Sequence, residues 1–234
     1  MDVEIRTIAP EEFATYIDAL TAGFGGHARP EDIERERMVA EIDRCLAALD
    51  GTDIVGGASA ASFTLTVPGG SVRAAGVTGV AVKPTHRRQG INSALMRRQL
   101  DDVRANGEPL AILWSSEEPI YGRYGYGMAT FRASIEAERD RMRFRGDPPA
   151  VGRARLGDED EAAQVLPPIW ERVRRETPGM FARSEAWWRN YRLPDPEHHR
   201  HGAGPRYFAV LEIDGVDEAY ARYRVKDDWK DGVS

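Results

Sequence analysis

The sequence predicts a mixed α/β fold, an α+β sheet flanked by helices, followed by a second, shorter domain that opens the same way. Three observations predict it. Apolar and β-branched runs separated by tight-turn signals fill residues 54–82, as in a meander. A strand, a basic glycine turn, an amphipathic helix and another strand follow over residues 77–114, an order that makes the two strands parallel. Beyond residue 151, a strand, helices and a hairpin repeat the opening order of residues 3–67.

Residues 3–8 alternate as Val-Glu-Ile-Arg-Thr-Ile, the period of a half-buried strand, and Pro10 ends them. Glu11 and Glu12 then start a helix that Phe13, Tyr16, Ile17 and Leu20 continue to Gly23. A second helix is predicted over residues 31–49, between Pro30 and the Asp50-Gly51 turn, with Ile33, Met38, Ile42 and Leu46 on one face. Residues 54–66 make a long β run broken at Pro68-Gly69-Gly70, which leads through Val72 into the strand of Val77, Val80 and Val82. Pro84 ends that strand, because proline has no N–H to give a sheet ladder.

Ile91, Leu95, Met96, Leu100 and Val103 recur as one helical stripe, and Asn106-Gly107 supplies a left-handed stop. Residues 109–114 are continuously apolar, as for a buried central strand beside residues 77–82. Residues 120–127 pack three tyrosines and three glycines into eight positions. Their Gly122, Gly125 and Gly127 are no dinucleotide fingerprint, because no strand-to-helix turn sets them on a phosphate. Residues 130–138 alternate as a last strand, and the charged stretch 139–147 with Pro148-Pro149 reads as a linker, which gives two domains, 1–143 and 144–234.

In the second domain a helix is predicted around residues 161–175, and residues 207–213 and 218–225 form a hairpin about Asp214-Gly215. A segment with Phe181, Trp187, Trp188 and Tyr191 follows, and its tryptophans read as core or interface rather than a cofactor box. His198-His199-Arg200-His201 has neither helical pairing nor a cysteine or carboxylate in ligand spacing, so it reads as a solvated loop and no metal is expected. This domain lacks a basic glycine turn.

The apolar fraction of 41% and charged fraction of 30% are those of an ordinary globular protein. A formal net charge of −6 argues against a general nucleic-acid role. A single cysteine, Cys45, allows no internal disulfide, and its neighbours Ile42, Leu46 and Leu49 make it a small buried hydrophobe. No apolar run has the length of a membrane span and Met1-Asp2-Val3-Glu4 does not start a signal peptide, so the expectation is a cytoplasmic protein without a membrane partner.

The chemistry is expected between the strand and the helix. A helix entered from a turn points its free N–H groups and positive dipole end at that turn, where Arg87 and Arg88 add full charges. Gly90, without a Cβ, lets the backbone approach phosphate oxygens, so the turn reads as a pyrophosphate site. The bland alternative is a basic surface turn.

Arg87-Arg88-Gln89-Gly90-Ile91-Asn92 resembles the acyl-CoA signature of the GCN5-related N-acetyltransferases (GNAT), in which an Arg or Gln stands three residues before a glycine. A small residue usually follows that glycine by two positions, where this chain has Asn92. The longer string Val80-Ala81-Val82-x-Pro84-Thr85-His86-Arg87-Arg88-x-Gly90, with Ile120-Tyr121-Gly122-Arg123-Tyr124-Gly125-Tyr126-Gly127 after it, is similar to the Eis (enhanced intracellular survival) branch of that superfamily. Two separate strings in the right order carry the resemblance.

The resemblance implies a GNAT acyl-CoA N-acyltransferase fold followed by the start of a second GNAT-like domain, and without a basic glycine turn that second domain is expected to bind no cofactor. It implies acetyl-CoA as co-substrate, held by Val80, Ala81, Val82, Arg88, Gln89, Gly90, Ile91, Asn92, Ser93, Ser116 and Glu117, with its pantetheine arm between two splayed parallel strands and bonded to Val80 and Val82. Tyr121 would be the proton donor to the departing thiolate, a phenol being a donor over the physiological range. Tyr124 and Tyr126 fit a packing role better. Glu117 and Glu118 lie near in sequence, yet no base is assigned.

The acceptor implied is an amine on a cationic small molecule such as an aminoglycoside or polyamine, or on a lysine side chain. The alternative is a CoA-binding regulatory or scaffold module without turnover. In the family a third region resembling sterol carrier protein follows and its terminal carboxylate reaches the active site, and the full-length protein is a homo-oligomer, a hexamer. The chain ends after its second hairpin, so the expectation is a fragment.

Overall fold

The computed structural model describes residues 3–115, 118–131, 133–137, 142–143, 146–147 and 151–226. They fall into two compact units, residues 1–127 with 174–191, and residues 128–173 with 192–234. No helix among the described residues is long and apolar enough to cross a membrane.

The first unit is built on a five-stranded sheet in sequence order, β1 (Glu4–Thr7), β2 (Cys45–Asp50), β3 (Asp53–Val67), β4 (Gly70–Val82) and β5 (Leu110–Ile112). The first four are antiparallel neighbours and β5 joins β4 in parallel. Helices α1 (Phe13–Gly23) and α2 (Pro30–Arg37) bring Phe13, Tyr16, Leu20 and Ile33 into one core cluster with Cys45, Ala47, Leu49 and Ile54. Helix α3 (Ile91–Ala105) brings Ile91 and Leu95 into another, with Leu46, Ala48 and Val55. The sheet is thus the middle of three layers, and each face buries a separate apolar cluster. A one-turn helix, α4 (Glu118–Tyr121), follows β5.

Residues 45–50 correct the prediction of one helix over 31–49. Alternate residues of β2 serve opposite clusters, Cys45, Ala47 and Leu49 on one side and Leu46 and Ala48 on the other. A strand buried on both faces has no alternation to betray it, and Cys-Leu-Ala-Ala-Leu scores well as helix. The helical part ends at Arg37, and Cys45 is buried as expected.

The apolar run 109–114 is also corrected. Only Leu110–Ile112 pair, they meet Ala74–Gly76 rather than residues 77–82, and β5 is the last strand of the sheet, with Leu110 and Trp114 exposed. The described residues among 130–137 form no strand, contrary to the alternation there.

Residues 179–182 lengthen the first unit along β3. Thr66 N–H donates to Met180 O at 2.8 Å, Gly179 N–H to Thr66 O at 2.9 Å and Ala182 N–H to Thr64 O at 2.9 Å. Phe181 and Trp187 then stack about Phe63, with ring centroids 4.5 and 5.1 Å from it. Trp187, expected in a core or an interface, joins an aromatic cluster that no local pattern announces.

At the N-terminus Arg6 grips Glu12 through two bonds of 2.7 Å, and Glu12 accepts the Ala9 N–H at 2.7 Å. The Arg6 bonds first, then the Ala9 N–H, hold the Glu12 carboxyl down at about 2. A lowered folded value means that this contribution is complete above the unfolded carboxylate range, roughly 4.3, and is lost as pH falls through the folded value. Glu12→Gln is therefore expected to flatten acid unfolding between about pH 4 and 2, and an unchanged acid curve would show that the clamp adds nothing.

The second unit pairs β6 (Arg153–Gly157), β7 (Tyr207–Ile213) and β8 (Val216–Tyr223) as an antiparallel sheet. Asp214 and Gly215, both at positive φ, make the predicted hairpin turn. Helix α5 (Glu159–Glu176), which continues through Pro167 and Pro168, buries Ala162, Leu166 and Ile169.

Candidate functional site

Strand β4 outlasts its parallel partner. Pairing with β5 stops at Gly76 and Ile112, whereas β4 stays bonded to β3 as far as Val82. Near the parting the register with β3 jumps from Ser59↔Thr78 to Gly57↔Ala81, so that Ala58 faces both Gly79 and Val80 in a bulge. Gly79 has φ +60, and a Cβ there would meet Leu20 Cδ1 at 2.9 Å, so this position needs glycine. A bulge bends its strand, and this one turns the end of β4 beyond the reach of β5.

Which backbone groups the free edge offers follows from one hydrogen bond. Lys83 N–H donates to Val55 O at 2.8 Å, so Lys83 and, two residues back, Ala81 face β3. Val80 and Val82 therefore face the open edge. The Val82 carbonyl there receives Arg87 Nε at 3.4 Å.

The chain after β4 runs through a 3-10 turn, Pro84–His86, in which His86 Nδ1 lies 2.8 Å from Thr85 Oγ1 and Nε2 lies 3.3 Å from Asp50. Arg87 Nη2 donates to Gly23 O at 2.6 Å, which ties the end of β4 to the end of α1. The structure thus gives Arg87 a holding role beside the charge expected of it. Arg88 is exposed, stands at φ +62 and has no hydrogen-bond or ion-pair partner among the described residues.

Gly90 follows at φ +84, and no atom lies within 4 Å of where its Cβ would be. Two left-handed residues within three positions curl the chain into the kind of concavity where N–H groups gather around an anion. Helix α3 starts there with Gly90 as an N-cap that offers no side chain, and its first bond is Ala94 N–H to Gly90 O at 3.0 Å. The N–H groups of Ile91, Asn92 and Ser93 have no carbonyl within the helix to meet.

Residues 118–127 come to this same helix start. After α4 they form a 3-10 turn, Gly122–Tyr124, closed by Gly125 at φ +87. Tyr124 Oη donates to Ser93 Oγ at 2.9 Å, which pins the segment to the first turn of α3. Sequence reasoning missed that link, because Tyr124 carried only a packing role there and nothing in its spacing pointed to Ser93.

Tyr121 is half-buried at the end of α4, its ring 5.9 Å from that of Tyr126 and edge-on to it. The Tyr126 hydroxyl is buried without a hydrogen-bond partner among the described residues, and burial, with Tyr121 adding, pushes its phenol up to about 12. Ser116 and Glu117 lie outside the described residues. On the α1 side of Lys83 a cavity of about 360 Å³ is lined by Thr15, Asp18, Ala22, Gly26 and His27 among others. No motif announces it, because its walls come from three separate stretches.

Comparison with known proteins points the same way. Residues 4–129 match a family described as acetyltransferase (GNAT) domain, and residues 179–233 match a second family of the same description. A protein of Streptomyces avermitilis described as an uncharacterized N-acetyltransferase is 42% identical over 98% of this chain and 57% of its own length. The N-acetyltransferase Eis of Mycobacterium tuberculosis is 34% identical over 87% of this chain and 52% of its own length. Among solved structures, Eis1 of Mycobacterium abscessus superposes with a TM-score of 0.77 at 32% identity, over 95% of this chain and 53% of that one. The chain therefore spans a little over half the length of the relatives it matches.

Proposed function

The chain belongs to the acetyltransferase (GNAT) family, and from that premise we propose that it is an acetyl-CoA-dependent N-acetyltransferase acting on the amine of a cationic substrate, such as an aminoglycoside, a polyamine or a lysine side chain. The observation that carries this reading is the coincidence of a free strand edge at Val80 and Val82 with the uncapped start of α3 at Gly90, joined by one short turn. An extended arm ending in a diphosphate has the shape and charge to use both.

In this reading the pyrophosphate lies on the N–H groups of Gln89 to Ser93 with Arg88 as counter-charge, and Arg87 holds the turn in place. The pantetheine amides bond Val80 and Val82, while Ala81 contributes packing and Ser116 and Glu117 are carried by the family resemblance alone. Acetyl-CoA, when bound, supplies the acetyl thioester. The amine nitrogen forms a bond to the carbonyl carbon, the carbon–sulfur bond breaks, and the sulfur takes its proton from the Tyr121 hydroxyl. The amine releases its own extra proton to solvent, and solvent returns one to the Tyr121 phenolate.

We also propose a cytoplasmic protein, by the same resemblance a homo-oligomer at the length of its relatives, with a cofactor-binding domain over residues 1–143 and a second domain, without a basic glycine turn and so without cofactor, over residues 144–234. The test of the site is calorimetric. Gly90→Asp sets a carboxylate against the phosphates and is expected to weaken acetyl-CoA binding by at least about tenfold, whereas Gly90→Asn, equally bulky and tolerant of positive φ, is expected to lose much less. Equal affinities in wild type and Gly90→Asp would mean that the turn is only a turn. Tight binding without thiol release against any amine would instead favour the non-catalytic module.

A further inference from the structure

Charge is arranged unevenly over the second unit. On β6, Arg155 is neutralised by Asp217, at 2.6 and 2.9 Å, and by Glu161 at 2.9 Å. Around residues 192–195, by contrast, five arginines gather. Arg206 Nη1 and Arg222 Nη1 both donate to the Arg192 carbonyl, at 2.9 and 2.7 Å, which sets two full positive charges side by side. Arg200 Nη2 donates to Asp195 O at 2.8 Å, and Arg224 bonds the Asp195 carboxylate. That carboxylate also accepts the Arg206 backbone N–H at 2.8 Å and lies 3.3 Å from Arg200 Nε.

The fifth member, Arg192, has no partner for its guanidinium among the described residues, and its Nε, like that of Arg224, is buried without a hydrogen bond. Among the described residues, Asp195 acts on Arg206 and Arg224, and Glu159 on Arg206. Five guanidinium groups so placed keep a positive excess among the described residues, in a chain whose net charge is −6. Setting like charges adjacent is costly, and an anion bound by the guanidinium groups would relieve that cost.

We propose that Arg192, Arg206, Arg222 and Arg224 form a binding site for a phosphate-type oxyanion, either free phosphate or a phosphate monoester. A tetrahedral dianion offers oxygens in several directions and so meets planar forks that converge from different elements, as a single carboxylate does not. Burial first, then Arg192 and Arg206, drives the Arg222 guanidinium down to about 10, as expected where the neighbouring charge is uncompensated.

The site lies in the second unit and does not depend on the acetyl-CoA reading. The experiment follows the melting temperature of the chain at fixed ionic strength as inorganic phosphate replaces chloride, with phenyl phosphate and citrate as further arms. Phosphate at tenfold its dissociation constant is expected to raise it by roughly 3–6 °C. The rise should vanish in Arg192→Gln and persist in Gly90→Asp, which blocks the other anion-binding turn. Arg192→Gln should melt no lower than wild type in chloride, because it removes an unpaired charge, whereas a purely structural role demands a lower value. Saturation by phenyl phosphate at lower concentration than by phosphate identifies a monoester as the ligand, and the reverse identifies free phosphate. No phosphate-specific rise, an equal rise with citrate, or a rise that survives Arg192→Gln would overturn the proposal.

Discussion

Tyr121→Phe is expected to lower amine-dependent turnover by about 10²- to 10⁴-fold, the range for a lost general acid, while acetyl-CoA affinity stays as in wild type. The split is the informative part. A phenylalanine keeps the ring against Tyr126 and removes the hydroxyl that would give the proton. The control is Tyr126→Phe, which deletes a buried hydroxyl that has no partner among the described residues, so it should cost neither stability nor more than a small factor in rate. Tyr124→Phe should fall between them, because it breaks the 2.9 Å bond to Ser93 that pins the segment to α3. If Tyr126→Phe proved the damaging variant and Tyr121→Phe the silent one, the proton donor would have been assigned to the wrong ring. The measurements are steady-state thiol release and acetyl-CoA calorimetry on the same preparations, in the longest form of the protein that can be made.

Arg44→Ala is expected to cost about 3–5 kcal/mol of stability, the range for removing one partner of a buried ion pair. Arg44, just before β2, forks onto Glu108, just before β5, with bonds of 2.9 and 2.6 Å, and also donates to Ser62 at 2.6 Å. The two side chains are 10% and 1% exposed, so the loss would strand the Glu108 carboxylate in the interior. Burial works against the Arg44 charge, but the bonds and charge of Glu108, with Glu41 and Asp43, outweigh it and raise the guanidinium pKa. The double change Arg44→Leu with Glu108→Leu should recover most of the loss, since apolar pairs of similar volume replace buried ion pairs well. Denaturant midpoints decide it. A loss below about 1 kcal/mol in Arg44→Ala would class the pair with surface ion pairs.

Three kinds of feature were legible without any structure. Strand endings and helix limits marked by Pro84, by Gly90 and by Asn106-Gly107 hold in the fold, as does the Asp214-Gly215 hairpin. The two strings that resemble a known family lead to the same assignment as whole-chain comparison. Parallel pairing of β4 and β5 also follows from element order. The first of these rests on constraints that act within a few residues of the chain, where proline, glycine and helical spacing leave little choice of backbone, and the other two rest on the order of strings and elements along it.

Other features depended on what lies across a sheet or a layer, and no window of sequence contains that information. Cys45–Asp50 is a strand because α1 and α3 bury both of its faces, a double burial that erases the alternation by which a strand is read. The end of β4 is free because a bulge opposite Ala58 bends it, and the bulge exists where Leu20 packs against a residue without a side chain. The tyrosine segment meets α3 through Tyr124 and Ser93, which stand 31 positions apart. Sequence alone therefore determined the local grammar of strand, turn and helix and the family it belongs to. Tertiary structure decided which edge is open, which arginine is tied and which is free, because those outcomes are set by packing between residues whose separation along the chain carries no signal.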